Sequence, residues 1–286
     1  MFVMSIIATK GGVGKTTTAA NLGGFVADAG LRVLLVDLDV QPTLSSYFKL
    51  DSRAPCGIYE MLAFNEPRIE RLICHTAISN LDLVLSNDDQ GQLNTLLLHA
   101  PDGRLRLRNM LEVFRPHYDL MLIDTQGARS VLLEMAVLAS HSALSPVTPE
   151  ILAARELRRG TLKLLADLAP FQRLGIELPP LSLLINRVHP VSANARLIQQ
   201  ILRQLFAKEP GIRVLKTDVP AIEAYPRAAT LSQAVHRVET RRPTGRVAPA
   251  ALETMRSLAV ELLPHWQDRF ARISGKPLEG GAHANP

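Results

Sequence analysis

A chain of 286 residues that is 47% hydrophobic can bury a large core and suits one large domain or two small ones. It has no apolar run of 18 residues and no charged-then-apolar leader, which argues against a membrane-spanning or secreted protein. Its two cysteines, Cys56 and Cys74, lack metal-ligand spacing and fit a reduced, cytoplasmic setting. The net charge of +5 is unevenly spread: residues 1–150 hold 12 Lys/Arg against 16 Asp/Glu, and residues 151–286 hold 20 against 11. The basic half suits a polyanion, either nucleic acid or an anionic membrane surface, with a solubilising face as the plain alternative.

In chain order, Phe2–Ala8 is a short apolar run with β-branched members, as expected of a strand buried on both faces. The stretch ATKGGVGKTTTA follows, and Thr16–Ala29 then carries Ala, Leu, Phe and Val at helical spacing up to Gly30. Further strands are predicted at Arg32–Leu38, Leu81–Leu85, Asp119–Asp124, Ala143–Val147, Leu181–Asn186 and Arg213–Leu215. The intervening patterns predict helices at Leu105–Phe114, Ser130–Ser140, Ile151–Leu168, Ala193–Ala207 and Pro249–Leu263. This alternation predicts an α/β fold, a doubly wound and mostly parallel sheet flanked by helices. We expect one domain over residues 1–274 and a disordered tail over 275–286, where the composition turns polar and Gly-rich.

A glycine turn between a buried strand and a helix is a phosphate-binding arrangement. The backbone N–H groups of Gly11, Gly12, Val13, Gly14 and Lys15, unpaired at the helix start, would ring a phosphate with the helix dipole behind them. Lys15 would reach the β/γ-phosphates of ATP, and the Thr16 hydroxyl would ligate Mg2+. Two features are irregular. The opening glycine of G-x-x-x-x-G-K-[ST] is replaced by Thr9, and a second lysine, Lys10, is present.

Two predicted strands end in carboxylates, RVLLVDLD with Asp37 and Asp39 and YDLMLID with Asp124. Ligands bind at the carboxyl ends of strands in doubly wound sheets, so all three acids should surround the phosphate loop. Asp124 has the form of a Mg2+-holding aspartate, and one of the Asp37/Asp39 pair could orient an attacking water.

KGGVGKTTTAANL at 10–22, RVLLVDLDVQPTLSSYF at 32–48 and YDLMLIDTQG at 118–127 together resemble the deviant Walker A ATPases of the ParA/MinD superfamily, most of all its ParA/Soj partition branch. The resemblance spans residues 1 to about 240. It implies a slow, partner-stimulated ATP hydrolase that forms a homodimer around two ATP molecules, with Lys10 reaching the nucleotide of the other subunit. It further implies that Thr17 contacts the α-phosphate side, that Asp39 positions the hydrolytic water, and that Asn186 and Pro220 hold adenine. The implied partners are non-specific DNA and a ParB-like centromere-binding activator, with a cytoplasmic, nucleoid-associated location and no stable membrane association. Candidate DNA contacts in the basic half are Arg196, Arg203, Arg227, Arg237, Arg241 and Arg242.

The chain departs from the family pattern at Val40-Gln41-Pro42, at Gln126-Gly127 where two prolines are usual, and in the basic positions of 219–242. The first two departures flank the hydrolytic site and bear on the rate. Two other readings stay open. A MinD-like membrane cycle would use the row Leu252, Met255, Leu258, Leu262, Trp266 and Phe270, which Pro264 interrupts and which reads more readily as a core-packing helix. An ATP-gated scaffold that positions a secretion or surface machine would hydrolyse little.

Overall fold

The computed structural model describes residues 1–150 and 152–274; the tail expected at 275–286 lies outside the described residues. Nine strands among them form one sheet: β1 Phe2–Ile6, β2 Val33–Asp37, β3 Leu50–Ser52, β4 Cys74–Thr76, β5 Leu81–Val84, β6 Leu120–Asp124, β7 Ser142–Val147, β8 Leu181–Ile185 and β9 Ile212–Val214. Their spatial order is β3-β4-β5-β2-β6-β1-β7-β8-β9. Every pairing from β5 to β9 is parallel. The expected doubly wound α/β sheet is therefore present.

Alternate residues along each central strand point to opposite faces, and both faces are covered. On one face Met4, Ile6, Leu35 and Leu122 pack with Leu22 and Phe25 of the helix Lys15–Asp28 and with Met255 and Leu258 of the helix Ala251–Leu262. On the other, Val3, Leu34, Val36, Met121 and Ile123 meet Leu111 and Phe114 of Arg106–Phe114 and Met135 of Val131–Ala139. Towards the β9 edge, Ala143, Leu183 and Ile185 pack against Leu157 and Leu164 and against Ile198, Leu202 and Phe206 of the helix Ala193–Phe206. Burial on two faces explains why these strands read as continuous apolar runs.

The structure adds two features to the sequence expectation. The short strands β3 and β4 extend the sheet antiparallel, β3 on β4 and β4 on β5. The helix expected at Ile151–Leu168 is α-helical at Ala153–Leu157, widens to a π-helix at Arg158–Leu162, and resumes at Lys163–Leu168; Ile151 lies outside the described residues. The π turn carries Gly160 against the phosphate loop, where a Cβ would fall on Thr9 Oγ1. Leu252, Met255, Leu258 and Phe270 are buried in the core, with Leu262 and Trp266 packed against it, so the C-terminal apolar row faces the protein's own interior.

Candidate active site

Three strand ends build the site. β1 runs into the loop at residues 7–14, and the helix Lys15–Asp28 starts at Gly14, which is left-handed (φ 92°), as is Gly12 (φ 76°). At Gly14 a side chain is doubly excluded: the backbone conformation disfavours it, and a Cβ would collide with Asn186 Nδ2. The sequence places no acid in the first turn of this helix, so its unpaired N–H groups and dipole act on the loop unopposed.

β2 and β6 are neighbours whose final residues, Asp37 and Asp124, are register partners. Both carboxylates are fully buried. Asp124 Oδ2 accepts a hydrogen bond from Thr16 Oγ1 at 2.6 Å. Burial pushes its carboxyl well up from the usual carboxylate range, and the nearby Asp37 charge adds to the shift. Burial likewise pushes Asp37 up to about 6, against the pull of its hydrogen bonds. Asp37 accepts from Ser45 N (2.8 Å), Ser45 Oγ (2.7 Å) and Asp39 N (3.1 Å). Asp37 thus folds the loop after β2, leaving Asp39 as the freer acid. Asp39 Oδ1 accepts only the Gln41 N–H at 3.0 Å among the hydrogen bonds of the described residues.

Lys15 is buried, and burial lowers its pKa while Asp124 and Asp39 partly restore it. Two buried carboxylates, Asp37 and Asp124, face one buried ammonium, so the site is short of positive charge, and unpaired buried ions are costly. The oxygens of Thr16 and Asp124 are hard donors of the kind Mg2+ takes, and a cation there would favour the ionised carboxylate that burial opposes. The residues present therefore fit a Mg–nucleotide ligand.

Lys10 lies at the rim. Its ammonium sits 2.7 Å from Glu150 Oε2 and 2.9 Å from Glu156 Oε2, and hydrogen bonds to these two carboxylates raise its pKa. All three side chains are at least a third exposed. Neither glutamate carries a motif, and neither was anticipated from the sequence.

Thr17, Asn186, Arg187, Val219, Pro220 and Tyr225 line a cleft of about 590 Å3 beside the phosphate loop, within the usual range for small-molecule pockets. The structure thus brings Asn186 and Pro220 to one place. Asn186 spends both ends of its amide internally, however: Nδ2 donates to Val13 O at 2.7 Å, and Oδ1 accepts from Arg187 N at 2.9 Å. It braces the phosphate loop. Arg187, which the sequence reading missed, donates from Nη1 to Gly12 O at 2.7 Å and holds a left-handed backbone (φ 57°).

The six basic candidates divide. Arg237 donates from Nε and Nη2 to the two oxygens of Asp28, which also meets His236. Arg203 is engaged with Asp218 and with the carbonyls of Leu215 and Lys216. These two guanidiniums are committed to the fold and do not stand free for a phosphate backbone. Arg196, Arg227, Arg241 and Arg242 are exposed, and none of them forms an ion pair among the described residues.

Comparison with known proteins agrees with this geometry. A family model described as an AAA domain matches residues 1–172. The chain is 28% identical over 275 residues to an uncharacterized protein of Mycobacterium tuberculosis, covering 94% of this chain and 79% of that protein. It is 33% identical over 157 residues to the sporulation initiation inhibitor protein Soj of Bacillus subtilis, covering 54% of this chain and 61% of Soj. The apo McdA structure from Cyanothece superposes with a TM-score of 0.72 at 21% identity, covering 83% of this chain and 93% of McdA, which bears on the fold alone. With the family model matching more than half of the chain and the phosphate loop at its centre, the chain belongs to the AAA-domain family as a P-loop ATPase of the ParA/MinD type.

Proposed function

We propose that this chain is a ParA-like ATPase that dimerises on ATP, binds DNA without sequence preference in that state, and positions a DNA cargo. One observation carries the reading: Lys15, Thr16, Asp124 and Asp39 converge at one end of the sheet, while a second lysine waits at the rim on the exposed Glu150 and the part-buried Glu156. Exposed ion pairs are worth about 1 kcal/mol or less, so a nucleotide phosphate can compete for Lys10.

In this reading Gly11–Lys15 cradle the phosphates, Lys15 meets the β/γ-phosphates and Thr17 faces the α-phosphate. Thr16 and Asp124 hold Mg2+, which when bound screens the phosphate charge. Asp39 orients the attacking water. Lys10 leaves Glu150 and Glu156 for the nucleotide of a second copy, where its charge offsets the negative charge that develops in phosphoryl transfer. The base occupies the cleft lined by Pro220, with Asn186 acting through Val13 on the loop rather than on the base. Turnover is slow and raised by a ParB-like partner. The exposed Arg196, Arg227, Arg241 and Arg242 supply the phosphate contacts. The burial of Leu252, Met255, Leu258 and Phe270 leaves the membrane-cycling alternative without its apolar face.

A DNA-binding titration without nucleotide, with ADP and with ATP tests the proposal. Affinity should rise with ATP alone. Equal affinity in all three conditions would overturn the coupling.

A further inference from the structure

Asp37 and Asp124 are partners in register at the ends of adjacent parallel strands, and the pairing continues one step further, with Leu38 N donating to Asp124 O at 3.0 Å. Asp39 and Gln126 therefore leave the sheet at equivalent positions, each two residues beyond a paired aspartate. The backbone thus carries a carboxylate and an amide off the same end of the sheet, from neighbouring strands.

The segment bearing Gln126 is pinned at both ends. Before it, Asp124 meets Thr16, and Thr125 Oγ1 donates to Ile6 O at 2.8 Å. After it, Gly127 lies so close to the loop that a Cβ there would stand 2.6 Å from Gly11 Cα and 2.8 Å from Gly11 N. Consecutive Cα atoms are about 3.8 Å apart, so the Gln126 backbone is within one residue's reach of the loop that cradles phosphate. Gln126 is half-buried, and its amide makes no hydrogen bond among the described residues. Asp37 and Asp124, by contrast, are spent on Ser45 and Thr16.

We propose that the Gln126 amide is a second water-orienting group for hydrolysis, acting opposite Asp39. The carboxylate of Asp39 accepts a hydrogen bond from one O–H of the attacking water. The Gln126 carbonyl accepts a hydrogen bond from the other O–H, and its N–H2 donates towards a γ-phosphate oxygen. The water oxygen then attacks phosphorus as the bond to the β-phosphate oxygen breaks, yielding ADP and inorganic phosphate, with the released proton passing to Asp39 or to phosphate. Gly127 is the companion substitution, because only a residue without Cβ brings the amide this close. The inference rests on the ATPase reading of the site.

The test is single-turnover phosphate release with ATP and Mg2+, beside ATP and ADP affinities and melting temperature, for wild type, Gln126→Ala, Gln126→Glu and Lys15→Ala. Gln126→Ala should slow release about 100-fold, the usual effect of losing one oriented polar contact in a transition state, with nucleotide affinities within about threefold of wild type and an unchanged melting temperature. Gln126→Glu keeps an acceptor but loses the donor and should stay at least tenfold slow. Release within twofold of wild type in Gln126→Ala overturns the proposal. So does a parallel loss of ADP affinity or thermal stability, which would make Gln126 a brace for the loop. Retained ATP binding in Lys15→Ala would instead overturn the ATPase reading, so the two failures are distinguishable.

Discussion

The acidic and basic halves of this chain use charge in opposite ways. In the first half the charged groups that matter are few and converge on one sheet end, where Asp124, Lys15 and Asp39 lie around the phosphate loop. In the second half the excess of arginine is diluted by the fold: Arg237 is tied to Asp28, Arg246 to Glu239 and Arg203 to Asp218. Burial separates the two kinds of pair. The side chains of Asp28 and Arg237 are 9% and 27% exposed, whereas those of Glu150 and Lys10 are 57% and 35% exposed. A count of charges therefore overstates the binding surface, and the exposure of each pair distinguishes structural cations from exchangeable ones.

Lys15→Ala should break the comparison most severely. The variant leaves Asp124 and Asp39 without their buried cation, and ATP affinity should fall about 100-fold or more, measurable by equilibrium binding of a fluorescent ATP analogue.

Arg237→Ala tests the structural class. It leaves a buried carboxylate with His236 alone at the last residue of the helix Lys15–Asp28, where the helix dipole also disfavours it. The expected cost is about 3 kcal/mol of stability, seen in urea unfolding. Burial raises the Asp28 pKa, but hydrogen bonds from Arg237 and His236 outweigh it and hold the carboxyl below its ordinary value. Such a group contributes stability above the ordinary carboxylate pKa and loses it as pH falls through the folded value. The gap between wild type and variant should thus be widest near pH 7 and narrow towards pH 3.

Arg241→Ala with Arg242→Ala tests the exposed class. Melting temperature should hold, while the salt dependence of DNA binding should flatten by about one unit of log–log slope per arginine. Filter binding at several salt concentrations decides it. An unchanged slope would move the contacts towards Arg196 and Arg227.

The smallest effect belongs to Glu150→Gln with Glu156→Gln. Freeing Lys10 removes an exposed competition worth about 1 kcal/mol, so the ATP-dependent dimer should form at a few-fold lower protein concentration in sedimentation runs.

Much of this was legible in the sequence where chemistry and periodicity coincide. β1, β2 and β6 are buried on both faces, so they appear as unbroken apolar runs, and their ends announce themselves as glycines or aspartates. β3 and β4 gave no such signal, since LDS and CHT are three residues long and mostly polar. The π turn at Arg158–Leu162 left no local mark, and the approach of Gly160 to Thr9 that accompanies it is a contact between distant segments. For the same reason no local pattern could pair Arg237 with Asp28 or Lys10 with Glu156. Gln126-Gly127 is visible in the sequence as a departure from the family pattern, and the missing Cβ at Gly127 is explained by its proximity to Gly11.

Thr9 was the first irregularity in the chain, a larger residue where a phosphate loop ordinarily begins with glycine. Its hydroxyl occupies the volume that a side chain at residue 160 would need. The loss at one position and the smallness at the other are a single exchange of bulk across the gap between the phosphate loop and the helix after β7. Changes at these two sites should be constrained jointly: enlarging Gly160 alone forces the loop and helix apart, while the same enlargement beside Thr9→Gly restores the fit with the residues trading places.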